Sequence, residues 1–125
     1  MTTKLILLYH NREMEEMEAK FARVNMIDFL SEEALEEVQN RYAKIREKTY
    51  PGIELTVWIR TGPQSMMTLS IYESEEALLA TTENHQQLIA SNADFVKDIF
   101  FYEGGVSGLA STLVTDGFVT FDNEQ

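Results

Sequence analysis

Ser31-Glu32-Glu33-Ala34-Leu35 recurs as Ser74-Glu75-Glu76-Ala77-Leu78, and each copy stands between a strand-like run and a helix-like one. In both copies the serine is suited to cap a helix, its hydroxyl accepting from a free first-turn N–H. The glutamates that follow fall where the helix dipole favours negative charge. The repeat therefore marks a duplicated strand-to-helix unit. Beyond the first copy, Leu35, Val38, Tyr42 and Ile45 recur at spacings of three and four, one apolar stripe of a helix. Arg41, Lys44, Arg46 and Lys48 crowd its C-terminal end, Glu37 and Arg41 form an i,i+4 pair, and Pro51-Gly52 stops it. Beyond the second copy, Leu78, Thr82, His85 and Ile89 share a helix face, with Leu88 beside them, to an end near Ser91-Asn92.

The strands follow from alternation. Ile53 to Arg60 sets Ile53, Leu55, Val57 and Ile59 against Glu54, Thr56, Trp58 and Arg60. Thr61-Gly62-Pro63-Gln64 is a turn, and Met66 to Glu73 alternates Met67, Leu69 and Ile71 against Met66, Thr68, Ser70 and Tyr72, which predicts an antiparallel hairpin. Val96 to Glu103, ended by Gly104-Gly105, is a further strand, and Ala22 to Phe29 is the first. Helical spacing of Met14, Met17, Phe21 and Val24 leaves open a start as late as Arg23 or Val24. The order is a ferredoxin-like α+β βαββαβ arrangement, a four-stranded antiparallel sheet with two helices on one face. One domain is expected, with residues 1–21 as an N-terminal extension, 22–103 as the core and 104–125 as a tail at a dimer interface or in a hairpin around Asp116-Gly117. Within the extension, Lys4 to His10 reads as an extra edge strand and Asn11 to Lys20 as a short helix.

Two helices cover one sheet face, and the strongly apolar sets, Ile53, Leu55, Val57, Ile59 and Met67, Leu69, Ile71, are expected beneath them. The other face then carries Arg23, Asn25, Ile27, Phe29, Thr56, Trp58, Arg60, Met66, Thr68, Ser70 and Tyr72, with either Phe101 or Phe100 and Tyr102. So large a share of apolar groups is poorly suited to water. A second copy closing over it is expected, since most soluble homo-oligomers are twofold dimers, and a cavity of mixed aromatic and polar character would result.

Composition excludes more than it assigns. The 125 residues carry a net charge of −11 and no Cys, which removes disulfides, thiolate metal sites and a cysteine nucleophile. The acidity argues against nucleic acid and anionic membranes as partners. Leu5 to Tyr9 is far shorter than the roughly 20 residues that span a bilayer, so a cytoplasmic protein is the default expectation. His10-Asn11-Arg12-Glu13 and the acidic run to Glu18 match no metal-ligand spacing, and no metal site is expected. Gly104, Gly105 and Gly108 lack the context of a phosphate loop, and no Gly-x-Ser-x-Gly elbow occurs.

The run Ser70-Ile71-Tyr72-Glu73-Ser74-Glu75-Glu76-Ala77-Leu78, with a His a few residues on, resembles the strand-to-helix signature of the antibiotic biosynthesis monooxygenase-like proteins of the dimeric α+β barrel superfamily. Tyr50-Pro51-Gly52 resembles their helix-to-strand link, and the resemblance covers about Ala22 to Glu103. It implies a homodimer with a ligand cavity between sheet and helices, in a superfamily that includes cofactor-free oxygenases, haem degraders and isomerases. Asn25 matches an Asn that the haem degraders carry on their first strand. Thr81 stands near their Trp position and Ser91 near their His position, which disfavours haem.

The cofactor-free oxygenases hold phenols with Asn, Trp, Tyr and Arg side chains. On that likeness Asn25, His85 and Arg60 are the candidate catalytic residues, with Asn25 or Arg60 stabilising negative charge and His85 as a base. Trp58, Tyr72, Thr56 and Ser70 are candidate substrate-binding residues, and no cofactor is expected. His85 equally suits a core histidine bonded to a neighbour. Two functions stay open: a cofactor-independent monooxygenase-like enzyme acting on a small aromatic or apolar metabolite, and a non-catalytic ligand-binding or regulatory dimer.

Overall fold

A computed structural model describes residues 4–6, 16–49 and 52–110. Two short strands, β1 (Lys4–Ile6) and β2 (Glu16–Glu18), pair antiparallel as a separate ribbon. The main sheet comprises β3 (Phe21–Phe29), β4 (Ile53–Gly62), β5 (Ser65–Tyr72) and β6 (Val96–Gly105) in the order β4-β5-β3-β6, with every neighbouring pair antiparallel. Helix α1 (Glu32–Thr49) links β3 to β4, and α2 (Glu75–Leu79) with α3 (Thr82–Ser91) links β5 to β6. This is the ferredoxin-like arrangement that the repeated Ser-Glu-Glu-Ala-Leu implies. Glu16–Glu18 is strand where a helix was expected, and the Asp116-Gly117 hairpin lies outside the described residues.

Both serines act as anticipated: Ser31 Oγ accepts from the Ala34 N–H at 3.0 Å and Ser74 Oγ from the Ala77 N–H at 3.1 Å. Arg41 Nε meets Glu37 Oε2 at 2.8 Å. The second helix is not continuous. Thr81 Oγ1 donates to the Leu78 carbonyl at 2.7 Å, and this bond to the preceding turn competes with helix continuation and closes α2. Gly52, at φ +83°, makes the turn from α1 into β4, a conformation that a side chain strains.

The two sheet faces are the reverse of the expectation. The helices cover Arg23, Asn25, Ile27, Phe29, Thr56, Trp58, Met66, Thr68, Ser70 and Tyr72, of which Arg23, Phe29, Met66, Thr68, Ser70 and Tyr72 are buried. From α1, Leu35 and Val38 pack with Phe29 and Met66, while Tyr42 and the α2 residue Leu78 pack with Tyr72. The physical reason is that the helix stripes are themselves mixed. Tyr42 meets Thr56 through their hydroxyls at 3.3 Å, Thr81 meets Arg23 and His85 meets Asn25, so polar groups on the helices find partners only on the mixed face.

Most of the aliphatic set lies on the uncovered face. Met26 (49% exposed), Leu55, Ile59, Phe100 (58%) and Tyr102 stand open there, Val24, Val57, Met67 and Leu69 are half-buried, and Ile71 is buried. Register assigns Phe101 to the covered face opposite Asn25, and Phe100 and Tyr102 to the open one opposite Met26 and Val24. A register shift between Ile53 and Leu55 turns Ile53 away from the aliphatic set and onto the Tyr42, Tyr72 and Leu78 cluster.

Candidate functional site

Alternation along β3 places Arg23 and Asn25 on the same face, and antiparallel register sets Asn25 opposite Thr68, Arg23 opposite Ser70, Trp58 opposite Thr68 and Thr56 opposite Ser70. Tyr42 from α1, His85 from α3 and Asn92 just after α3 come down onto this patch. Between sheet and helices they leave a cavity of about 70 Å³. Tyr42 and Trp58 form one wall, their rings tilted with centroids 5.0 Å apart. Leu88, Ile89, Val96 and Ile99 complete the apolar lining.

Two polar systems meet in the cavity. In the first, Asn25 Nδ2 donates to Thr68 Oγ1 at 3.0 Å, which directs Asn25 Oδ1 to accept from His85 Nε2–H at 2.9 Å. That tautomer makes His85 Nδ1 the ring's acceptor. The Thr68 bond uses one of the two Nδ2 hydrogens. The His85 ring also stands edge-on to Phe101, with centroids 4.7 Å apart. Only 5% of His85 is exposed; burial, and then the nearby Arg23 charge, push its pKa from 6.5 down to about 4. At neutral pH the imidazole is uncharged.

The second system is built on Arg23, which is 1% exposed. Its Nε donates to Glu103 Oε2 at 2.7 Å, and Nη1 donates to Tyr72 Oη and Thr81 Oγ1, each at 3.3 Å. The guanidinium carbon lies 5.6 Å from the centre of the Tyr72 ring. Burial raises the Tyr72 phenol above its ordinary pKa, so it stays protonated.

Of the residues predicted from sequence, Asn25, His85, Trp58, Tyr72, Thr56 and Ser70 are brought together around this cavity. Arg60 is not. Near the end of β4 it bonds Glu32 Oε2 and the Pro63 carbonyl, both at 3.3 Å, on the exposed surface. The charge that sequence reasoning sought at Arg60 is supplied by Arg23, two residues before Asn25 and therefore on its face. That spacing, together with Tyr42 on the α1 stripe, was the available signal. Among the described residues, no cluster of three or more His, Cys, Asp or Glu is placed to hold a metal ion, and no helix is long and apolar enough to cross a membrane.

No protein-family model matches the sequence, and no curated protein matches it. Solved structures do share the fold. A dimeric ferredoxin-like protein from an uncultured marine organism is 21% identical, with 79% of this chain and 95% of that one covered at a TM-score of 0.57. A candidate antibiotic biosynthesis monooxygenase from Chloroflexus aurantiacus is 15% identical over 74% of this chain and 97% of its own, with a TM-score of 0.55. SnoaB, a cofactor-independent oxygenase from Streptomyces nogalater, is 12% identical over 75% of this chain and 97% of its own, with a TM-score of 0.56. At these identities the likeness is one of fold.

Proposed function

We propose that the protein is a homodimeric, cofactor-independent oxygenase-like enzyme acting on a small aromatic substrate bound between sheet and helices. The observation that carries this reading is the linked set Thr68, Asn25 and His85, bonded in series and lining, with Tyr42 and Trp58, the cavity between sheet and helices. The existence of an oxygenase of the same fold that needs no cofactor supports it. The open aliphatic face supports the dimer, as does the dimeric protein of the same fold.

The reaction in this reading converts a phenol and O2 into a quinone and water. The ionised phenol supplies electrons to O2, one oxygen atom becomes the second ring carbonyl, and the other leaves as water. Trp58 stacks on the ring, and Asn25 donates its remaining amide hydrogen to the developing oxyanion. His85 acts chiefly by holding Asn25. With a pKa of about 4, it would take a proton from a phenol of pKa near 10 only against about 8 kcal/mol. The substrate therefore arrives ionised, or loses its proton to water.

Oxygen uptake with a panel of single-ring phenols tests the proposal. Uptake matched by equimolar quinone, and reduced at least about tenfold in kcat by Asn25→Ala, is the expected result. No uptake with any phenol, or uptake indifferent to Asn25→Ala, moves the assignment to a non-catalytic ligand-binding dimer. One observation favours that second reading: His85, the cavity's imidazole, titrates far from neutral pH.

A further inference from the structure

The cavity is smaller than the ligand proposed for it. An engineered apolar cavity of roughly 150 Å³ binds benzene, whereas the space here is about 70 Å³. Interiors are close-packed, so a ring enters only where a wall gives way. The sheet is tied by antiparallel ladders on both sides of β3. Helix α1 runs 18 residues, carries the Ser31 cap and the Glu37–Arg41 pair, and buries Ala34, Leu35, Val38 and Tyr42. Neither wall is built to move.

Helix α3 is built differently. Its 10 residues are fewer than the roughly 12–15 at which an isolated helix becomes even marginally stable. The Thr81 hydroxyl does not cap it, being engaged by the Leu78 carbonyl and Arg23, and no basic residue stands in its last turn. His85 is the one residue that α3 buries. His85, Leu88 and Ile89 line the cavity, so the inner face of the helix borders open space. Its two ends are firmer. Thr81 and Asn92 are buried, the Asn92 carbonyl accepts from the Phe95 N–H at 2.9 Å, and the Phe95 carbonyl accepts from the Leu30 N–H at 2.9 Å. Between these anchors His85 Nε2 fastens the helix to Asn25 Oδ1 at 2.9 Å, with its ring edge-on to Phe101.

We infer that α3 is a lid over the cavity, latched by His85 to Asn25, which opens between Thr81 and Asn92 to admit a ring and re-forms over it. This rests on the proposed reading of the cavity as a ligand site, and adds the route by which that site fills. The lid itself is open to test without any ligand.

Amide hydrogen exchange on the full chain at pH 7, resolved residue by residue by NMR, tests it. Amides of α3 from His85 to Ser91 exchange at least about 100-fold faster than those of α1 from Val38 to Tyr42. Small additions of urea raise the α1 rates and leave the α3 rates unchanged, because a local opening exposes little surface. His85→Ala speeds α3 exchange at least about fivefold further while α1 stays within about twofold, and His85→Gln, which keeps an N–H for Asn25, returns most of the protection. Benzoate or phenol, at about ten times its Kd, slows α3 exchange about tenfold.

Equal exchange rates in α3 and α1, a shared urea dependence, or a His85→Ala effect spread evenly over both helices overturns the inference; if His85→Ala does not fold, the wild-type comparison decides alone. Fast local exchange in α3 with no binding of either compound overturns the cavity reading and the lid's role with it. Local opening that a bound compound suppresses, without oxygen uptake, upholds the inference and removes only the oxygenase.

Discussion

Replacing His85 by Gln removes a group that titrates while keeping a side-chain N–H able to donate to Asn25. In the folded protein His85 takes a proton only near pH 4, whereas in the unfolded chain it does so near 6.5. The folded pKa is the lower one, so between these values the unfolded state binds the extra proton and acid favours unfolding. The neutral imidazole's contribution is fully present above about pH 6.5 and is lost as pH falls toward 4. Linkage makes the loss about 2 kcal/mol between pH 7 and pH 5. For a chain of this size that moves a urea midpoint by roughly 1–2 M. Urea unfolding followed by Trp58 fluorescence, at pH 7, 6 and 5, gives the wild-type slope. The same series on His85→Gln subtracts the carboxylates common to both. The wild type should lose about 2 kcal/mol more than the variant over this range. Parallel slopes would refute the burial argument, as would a His85 imidazole NMR titration with its midpoint near 6.5.

Other consequences of the fold are measurable. Gly52→Ala should cost at least about 1 kcal/mol in urea unfolding, because its φ is +83° and an added Cβ would meet Ala77 Cβ at 3.1 Å. Ser74→Ala should cost about 1 kcal/mol through the lost cap at the Ala77 N–H, and Ser74→Asp should recover most of it. In sedimentation the wild-type chain should run at twice its 14.4 kDa mass, and Phe100→Glu, on the open face, should shift it toward monomer.

The element order was legible because local signals agreed. The two serine caps, the stop at Pro51-Gly52 and the strict alternation of Ile53 to Arg60 and Met66 to Tyr72 each report on the backbone near them. Which face the helices cover was not legible from strand hydrophobicity. The aliphatic set looked like a core because it is the more apolar, yet Tyr42, Thr81 and His85 give the helices polar tips that need Thr56, Arg23 and Asn25 beneath them. Matching helix stripe to strand face, instead of ranking strand faces by hydropathy, recovers the observed side. Most of the candidate site survived this inversion, since Asn25, Trp58, Thr56, Ser70 and Tyr72 stay on one face whichever side is covered. Arg60 did not, because its position near the end of β4 carries it to Glu32 at the exposed first turn of α1. Arg23, placed on the same face as Asn25 from the start, went unselected because its partners, Thr81 above it and Glu103 beside it on β6, lie far from it in sequence.

On the proposed reading, ligands bind on the face beneath the helices. Amide and side-chain NMR mapping during a benzoate titration separates the two faces. Binding beneath the helices should concentrate the shifts on the Trp58 indole N–H, the Asn25 side-chain amide, the Arg23 Nε–H and the His85 ring. Shifts confined to Val24, Met26, Leu69 and Phe100 on the open face would contradict it.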